Sequence, residues 1–184
     1  MCRFKSGIIL KNRVVIAQGS NDSHGDMLES LKIKDTSENA MTKFVRAECV
    51  PPNNEWWTHP KTWELIVDQD IVPDWFCLDA EKYKEDFRNA VIEWWENHVL
   101  IDQKIDELSS GYYILKRCEV KKLLNDVQVI LDSSTVQEMC GSSTVQRMCG
   151  SSTVQIMGGS STVQEMRGSS TVQEMLDSST LQER

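Results

Sequence analysis

The chain lacks any long hydrophobic run, although 40% of its 184 residues are hydrophobic. No apolar stretch approaches the roughly 18 residues that a membrane-spanning helix requires. Arg3 and Lys5 precede only a short apolar segment, residues 7–10, which is too short for the hydrophobic region of a secretory signal. We therefore expect a cytoplasmic protein with no membrane partner.

The motifs that mark metal, nucleotide and disulfide sites are also missing. The six cysteines form no C-x-x-C pair, and the three histidines are scattered along the chain. There is no glycine-rich phosphate loop, and no G-G-x-G-x-D pattern of the kind that binds calcium in nine-residue repeats. Because the cysteines are widely spaced and no secretion signal is present, we expect reduced thiols. The sequence thus predicts no metal site and no cofactor.

Lysine and arginine are outnumbered by acidic residues, 20 to 28, which gives a formal net charge of −8. The acidic residues are spread along the chain, and it has no block of basic residues of the kind that phosphate contacts require. This composition disfavours direct nucleic-acid binding. An acidic surface is suited instead to a basic groove on a partner protein; the alternative is that the acidity serves solubility alone.

The C-terminal third of the chain is rich in one pattern, a nine-residue tandem repeat of the form G-S-S-T-V-Q-E-M-x. Its units begin at Asp132, Gly141, Gly150, Gly159, Gly168 and Asp177. A fixed period with near-identity is typical of repeats that stack and share a continuous core. We therefore predict a parallel β-solenoid, a β-roll or β-helix, with two units and about 18 residues in each coil; about 27 residues is the alternative.

Each unit has a predicted inside and outside. The run T-V-Q is β-prone, so the fifth-place valine is predicted to point inward, together with the eighth-place methionine. Glycine or aspartate at the first place suits a tight turn with unusual backbone angles. The seventh and ninth places vary between units, so we expect those side chains to face outward. The seventh place supplies the predicted binding residues Glu138, Arg147, Glu165 and Glu174.

The patterns divide the chain into an α+β domain over residues 1–103, degenerate capping coils over 104–131, and the nine-residue-repeat solenoid over 132–184. In the middle segment, residues 104–108 and 112–120 are predicted to form a hairpin. The last repeat shows no cap, and a bare β edge tends to pair with another chain. We therefore expect a homodimer joined through the C-terminal end of the solenoid.

The N-terminal domain combines short strands and helices. Residues 7–10 and 13–17 predict a hairpin, and alternating apolar residues predict strands over 44–50 and 62–68. Residues 23–26 have the spacing of a helix capping box.

Two further features of this domain are a predicted turn and its tryptophans. A turn is expected over residues 72–75, and a longer helix is expected after Asp79. Six tryptophans lie between positions 56 and 95. We interpret them as core and inter-domain packing. The alternative is a recognition surface, for which Trp56 and Trp57 are candidates.

Four segments of this domain carry a resemblance to known proteins: M-C-x-F-K-S-G-I-I-L, D-S-H-x-D-M-L, F-V-R-A-E and V-D-Q-D-I-x-P-D-W. In these segments the chain resembles uncharacterised bacteriophage and prophage proteins whose N-terminal domain is often followed by nine-residue repeats of the N-A-T-V-x-x-V type. The present repeats depart from that pattern, with serine in place of alanine and methionine in place of valine. The resemblance implies a viral or mobile-element origin and a bacterial host cytoplasm, but no chemistry.

These observations favour a non-catalytic binding protein of phage or mobile-element origin. The expected partner is a host defence protein or ribonucleoprotein, and the expected role is stoichiometric inhibition, as in anti-CRISPR proteins. Such an inhibitor would use its acidic surface to block a positively charged nucleic-acid channel. An alternative is a structural element of a virion, in which a solenoid serves as a stiff spacer.

A second alternative is an enzyme that uses Cys2. Removal of Met1 would expose a terminal cysteine whose own amine acts as the base, as in N-terminal-nucleophile hydrolases and amidotransferases. The start of the chain is similar to class II amidotransferases and to abasic-site-crosslinking proteins at Met1-Cys2 alone. His24 and Glu48 are the candidate catalytic partners, and Asp68 and Asp70 are further polar candidates.

Overall fold

The computed structural model describes residues 4–19 and 21–183. The chain divides into two compact units, Met1–Asn97 and His98–Arg184. The first is a small α+β region, and the second is a parallel β-solenoid of about five turns, which confirms the predicted architecture. The solenoid begins with a strand at Val99–Ile101, before residue 104, where the sequence placed the boundary.

The N-terminal unit is built on one antiparallel sheet, whose strands are β1 (Lys5–Leu10), β2 (Arg13–Ile16), β3 (Phe44–Val50) and β4 (Glu64–Val67). Their order in the sheet is β2-β1-β3-β4. Its helices are α1 (His24–Ser30), α2 (Ser37–Thr42), α3 (Asp74–Leu78) and α4 (Ala80–His98), with two short 3-10 helices at Pro52–Asn54 and Pro60–Thr62.

The local predictions for this unit largely hold. Leu10 pairs with Arg13 across the predicted hairpin, and the Ser23 side chain caps α1 by accepting a hydrogen bond from the backbone N–H of Asp26. The prediction of a turn over 72–75 was incomplete, because Pro73 is the N-cap of the short helix α3. Proline is tolerated there since the first N–H groups of a helix have no partner within the helix.

Both faces of this sheet are packed. On one face, Ile8 and Phe44 form a buried cluster with Met27 and Leu28 of α1. On the other face, α4 lies so close to β1 that a Cβ at Gly7 would sit 2.6 Å from the Phe87 ring. Residues that alternate along β3 therefore point to opposite packed faces.

The solenoid consists of two parallel sheets. The strands of the first are β6 (Lys104–Leu108), β8 (Glu119–Leu123), β10 (Thr135–Met139), β12 (Thr153–Met157) and β14 (Thr171–Met175). Those of the second are β5 (Val99–Ile101), β7 (Gly111–Lys116), β9 (Val127–Asp132), β11 (Thr144–Cys149), β13 (Thr162–Glu165) and β15 (Thr180–Glu183). The chain alternates between the two sheets from strand to strand.

The predicted hairpin over residues 104–120 was wrong. β6 pairs in parallel with β8, whereas β7 pairs in parallel with β5 and β9 in the other sheet. The Ser109-Ser110-Gly111 turn is therefore a corner between two sheets of a coil. The predicted second strand also breaks at Arg117, which has a φ of 52° at the next corner.

Residues that pair between successive coils of the repeat region are separated by two nine-residue units. Val136 pairs with Val154, and Val145 pairs with Val163. The inward-facing valines and methionines are fully buried from Val136 to Val163, as are the third-place serines Ser143, Ser152 and Ser161. The core of the coils between residues 134 and 163 is thus made of valine, methionine and serine.

In five of the six units the first place lies at a corner with left-handed backbone, whereas in the first unit Asp132 ends β9 and Ser133 has the positive φ, 51°. Gly141, Gly150, Gly159 and Gly168 have φ between 60° and 69°, and Asp177 has φ 55°. A Cβ at Gly159 would meet the backbone nitrogen of Gly141 at 2.9 Å. Glycine is favoured at this corner both by the backbone angle and by close stacking of successive coils.

Candidate functional site

The predicted binding residues on the solenoid take part mainly in ion pairs between coils. Glu138 pairs with Lys122 at 3.1 Å, and these residues are direct neighbours on β10 and β8. Arg147 Nε donates to Glu165 Oε2 at 2.6 Å. Glu174 is exposed, and no ion-pair partner lies near it among residues 4–19 and 21–183. Of the four, Glu174 is the carboxylate most accessible to a partner.

The Arg147–Glu165 pair extends to Arg167, whose Nε also donates to the Glu165 carboxylate. The hydrogen bond from Arg147 is the main reason that the pKa of Glu165 lies below its ordinary value, with the bond from Arg167 adding to it. The variable seventh place thus contributes electrostatic contacts between coils as well as an outer surface.

The outward faces also carry regular columns of polar side chains. The hydroxyls of Thr153 and Thr171 are 3.3 Å apart, and those of Thr162 and Thr180 are 3.2 Å apart. On the second sheet, Gln146 Nε2 donates to Gln128 Oε1 at 3.0 Å. Hydrogen bonds along such columns hold the exposed side chains in fixed orientations, which gives the solenoid a preorganised polar surface.

The last coil leaves part of its apolar interior open. Val163 is fully buried, whereas Met175 is 43% exposed and Leu176 is 45% exposed. Val172 and Leu181 line a cleft of about 430 Å³ together with Met175. The eighth-place methionine, which is fully buried at Met139, Met148 and Met157, is therefore partly exposed at Met175.

The tryptophan candidates lie in different environments. Trp56 is only 8% exposed, and its ring makes edge contacts with Trp63 at 5.4 Å and Trp94 at 6.2 Å. The interpretation as core packing is therefore correct for Trp56, and the alternative of a surface anchor was wrong for this residue. Trp57 is half-buried, next to it in the chain.

A polar cluster in the N-terminal unit gathers three of the residues proposed as partners of Cys2. In the His24 cluster, defined as His24, Glu48 and Asp68, one ligand atom of each residue lies within 4.8 Å of the others. Register explains the arrangement, because Glu48 pairs with Ile66, which places Asp68 on the same face two residues further on. His24 joins them as the first residue of α1.

The His24 ring is held from both sides. Its Nε2 lies 3.3 Å from the carbonyl oxygen of Ala47, and its Nδ1 lies 3.4 Å from Asp68 Oδ2. The His24 side chain is 11% exposed, while that of Asp68 is 56% exposed and opens the cluster to solvent. Burial lowers the pKa of His24, which favours the neutral ring.

The carboxylates of this region differ in charge environment. Burial, and then the charges of Asp68 and Asp22, raises the pKa of Glu48 to about 7. Close by, Lys5 pairs with Asp22 at 3.0 Å, and both side chains are almost fully buried. Burial raises the pKa of Asp22, although the Lys5 ammonium acts in the opposite direction. A carboxyl group that titrates near neutrality is suited to acid–base chemistry.

The remaining members of the proposed enzyme site are not brought together in the same way. Cys2 lies outside the described residues. Asp70 is exposed and lines a cleft of about 480 Å³ together with Asp68 and Arg46. Sequence reasoning predicted no metal site, because the histidines are scattered; the fold nevertheless places one histidine beside two carboxylates from other segments.

Comparisons of the chain with protein-family models, with curated proteins and with solved structures found no match. No helix among residues 4–19 and 21–183 is both long enough and apolar enough to span a membrane.

Proposed function

We propose that this chain is a non-catalytic binding protein, encoded by a phage or mobile element, that inhibits a bacterial defence system by occupying its target stoichiometrically. The observation that carries the proposal is the in-register stacking of exposed polar side chains on the solenoid, as in the threonine pairs Thr153–Thr171 and Thr162–Thr180. A rigid surface loses little side-chain entropy on binding, so more of the contact energy appears as affinity.

The chemistry of this surface favours a basic partner. The chain carries a formal charge of −8, and Glu174 presents an exposed carboxylate on the first sheet of the solenoid. Enzymes that bind nucleic acid carry positively charged channels, and an acidic surface is attracted to such channels over several ångströms. A defence nuclease with its guide RNA is a partner of this kind.

The nine-residue unit is, on this proposal, the building block of the binding surface. Two consecutive units make one coil, one contributing a strand to each sheet. Residues 99–131, which include the segment 104–131 predicted from the sequence, are degenerate first coils that cover the apolar core at its N-terminal end. The strands of these coils pair in register with each other and with the first repeat. Ile105 of β6 pairs with Val120 of β8, and Val120 pairs with Val136 of β10.

The proposed assembly is a homodimer joined through the C-terminal coil. The exposed Met175 and Leu176 support it, because a second copy that covers them removes apolar surface from water. Light scattering on the purified chain tests this, and Met175→Lys is expected to shift a dimer to monomer. A monomer in the unmodified chain contradicts the dimer, and open-ended polymers would favour a structural virion element.

The inhibitor proposal is tested by a pull-down from bacterial lysate that contains an active CRISPR effector and its guide, followed by a cleavage assay. Capture of the effector with loss of cleavage at near-equimolar chain supports the proposal. Absence of both capture and inhibition contradicts it for that effector. Association is expected to weaken as salt concentration rises, because the contact is electrostatic.

An enzyme is the second candidate, and the observation that favours it is the proximity of His24 and Glu48. In that role Glu48 would move a proton and His24 would orient or share it, with Cys2 as the nucleophile. Intact mass spectrometry tests the first requirement, since retained Met1 excludes a terminal nucleophile. Loss of reaction with a thiol-directed electrophile in Cys2→Ala, but not in Cys77→Ala, would support the enzyme.

A further inference from the structure

We propose that the His24 cluster binds one first-row divalent metal ion, of the kind that accepts both imidazole nitrogen and carboxylate oxygen, with Zn²⁺ and Mn²⁺ as the representative ions. This inference concerns the N-terminal unit and does not depend on the binding role proposed for the solenoid.

The spacing of the three side chains suits a single ion. One ligand atom each of His24, Glu48 and Asp68 lies within 4.8 Å of the other two. Bonds of about 2.0–2.2 Å place the ligand atoms of one zinc ion roughly 3–4 Å apart. Small rotations of the two carboxylates are enough to close that difference. The exposed Asp68 side chain leaves an entry path and room for a water ligand.

The orientation of the His24 ring is a second and independent indication. The Ala47 carbonyl can only accept a hydrogen bond, so we assign the ring proton to Nε2, which lies 3.3 Å from that oxygen. In a neutral ring the lone pair of Nδ1 then faces Asp68 Oδ2 at 3.4 Å, and both atoms are acceptors. A cation bound between Nδ1 of His24 and Oδ2 of Asp68 would replace the repulsion between two lone pairs with two attractive contacts. A ring N–H held by a backbone carbonyl is also the usual second-shell support of a metal-bound histidine.

The charges around the His24 cluster also favour a bound cation. The Glu48 side chain makes no hydrogen bond in the described part of the chain, and it lies beside a second carboxylate, that of Asp68. Two cationic side chains lie nearby, but each has an acidic partner of its own. Lys5 binds Asp22 at 3.0 Å, and Arg46 binds Asp35. A divalent ion would neutralise the charges of Glu48 and Asp68 directly.

The full chain, stripped with a chelator, is titrated with Zn²⁺ and with Mn²⁺ by calorimetry, and with Co²⁺ by absorption spectroscopy. We expect one ion per chain and a higher melting temperature of the N-terminal unit. Co²⁺ should give weak visible bands without the intense near-ultraviolet band of thiolate ligands. Ion binding that is dominated by the thiolate band would overturn the proposal, because it would assign the metal to cysteines.

Single substitutions identify the ligands. Asp68→Asn and Glu48→Gln should each weaken Mn²⁺ binding about tenfold or more, since ligands count for at least as much as second-shell groups. Asp68→Asn is the decisive variant, because its side chain is half-exposed and its replacement disturbs no core packing. His59→Gln is the matched control for His24→Gln, since His59 is exposed and lies outside the cluster, as the N-cap of the 3-10 helix Pro60–Thr62.

Unchanged Mn²⁺ affinity in Asp68→Asn, or equal losses in His24→Gln and His59→Gln, would overturn the assignment. An ion pair between Asp68 and a doubly protonated His24 would satisfy the same contacts without a metal. Absence of any metal uptake by the unmodified chain would favour that ion pair and reject the site.

Discussion

Arg147 Nε donates to Glu165 Oε2 at 2.6 Å, across neighbouring strands of the second solenoid sheet. Both residues occupy the variable seventh place of the repeat. The variation between units therefore has a structural consequence, since it places opposite charges on adjacent coils. Opposite charges on neighbouring strands stabilise a sheet modestly, by about 0.2–1 kcal/mol for a pair.

The ion pair between Arg147 and Glu165 should make the unfolding free energy of the solenoid decrease as the pH falls below about 5. The pKa of Glu165 is lowered in the folded chain, chiefly by the Arg147 hydrogen bond. A lowered folded pKa contributes stability above the unfolded pKa of about 4.3, and that contribution is lost as the pH falls through the folded pKa. We expect Glu165→Gln to flatten the decline in unfolding free energy between about pH 5 and pH 3.

Urea unfolding at several pH values, followed by circular dichroism, measures this effect. Glu174→Gln is the control, because it changes the same residue type at the seventh place without removing an ion pair of the described chain. An identical acid dependence in Glu165→Gln and the unmodified chain would show that the pair contributes nothing.

The methionine column should be a main source of solenoid stability. Met148 is fully buried in the cluster that contains Val145 and Val163. Met148→Ala is expected to lower the unfolding free energy by about 2–5 kcal/mol, because it leaves a cavity in the core. Gln155→Ala, on an exposed outward position, should change it by about 0.5 kcal/mol or less. Comparable losses in the two variants would contradict the inside–outside assignment.

The corner glycines should be less replaceable than a glycine outside the solenoid. In Gly159→Ala the alanine would have to adopt a φ of 66°, and its Cβ would lie 2.9 Å from the backbone nitrogen of Gly141. Gly19 has a φ of 57°, but nothing lies within 4 Å of an added Cβ. Both variants should carry the left-handed backbone cost of about 1–2 kcal/mol, and Gly159→Ala should lose more, because successive coils must separate. Thermal unfolding of the two variants provides the comparison.

The solenoid was predictable from sequence because its information is local and repeated. A nine-residue period with valine at the fifth place fixes both the strand and its buried face, and Val136 and Val154 then pair as expected. The hairpin prediction over residues 104–120 failed because a local turn does not determine which strands pair. A short Ser-Ser-Gly turn is compatible with a hairpin and with a solenoid corner, and only the pairing of strands between coils distinguishes the two.

The candidate sites could be predicted from the sequence only in part. His24, Glu48 and Asp68 belong to segments that meet only through the register of β3 with β4 and the position of α1. The sequence supplied them as polar partners of a cysteine, but their mutual distances depend on the fold. Trp56 was a surface candidate by composition, and its burial depends on packing against Trp63 and Trp94.

The most direct test of the central claim, binding through the solenoid, is a titration of the chain against a fixed amount of captured effector, with residual DNA cleavage as the readout. We expect full inhibition near one or two chains per effector for the unmodified chain and for Glu96→Lys, an exposed charge reversal in the N-terminal unit. Glu174→Lys should weaken inhibition about threefold or more, because it reverses an accessible charge on the solenoid. Equal inhibition by the two variants, or none at large excess of the unmodified chain, would contradict the account.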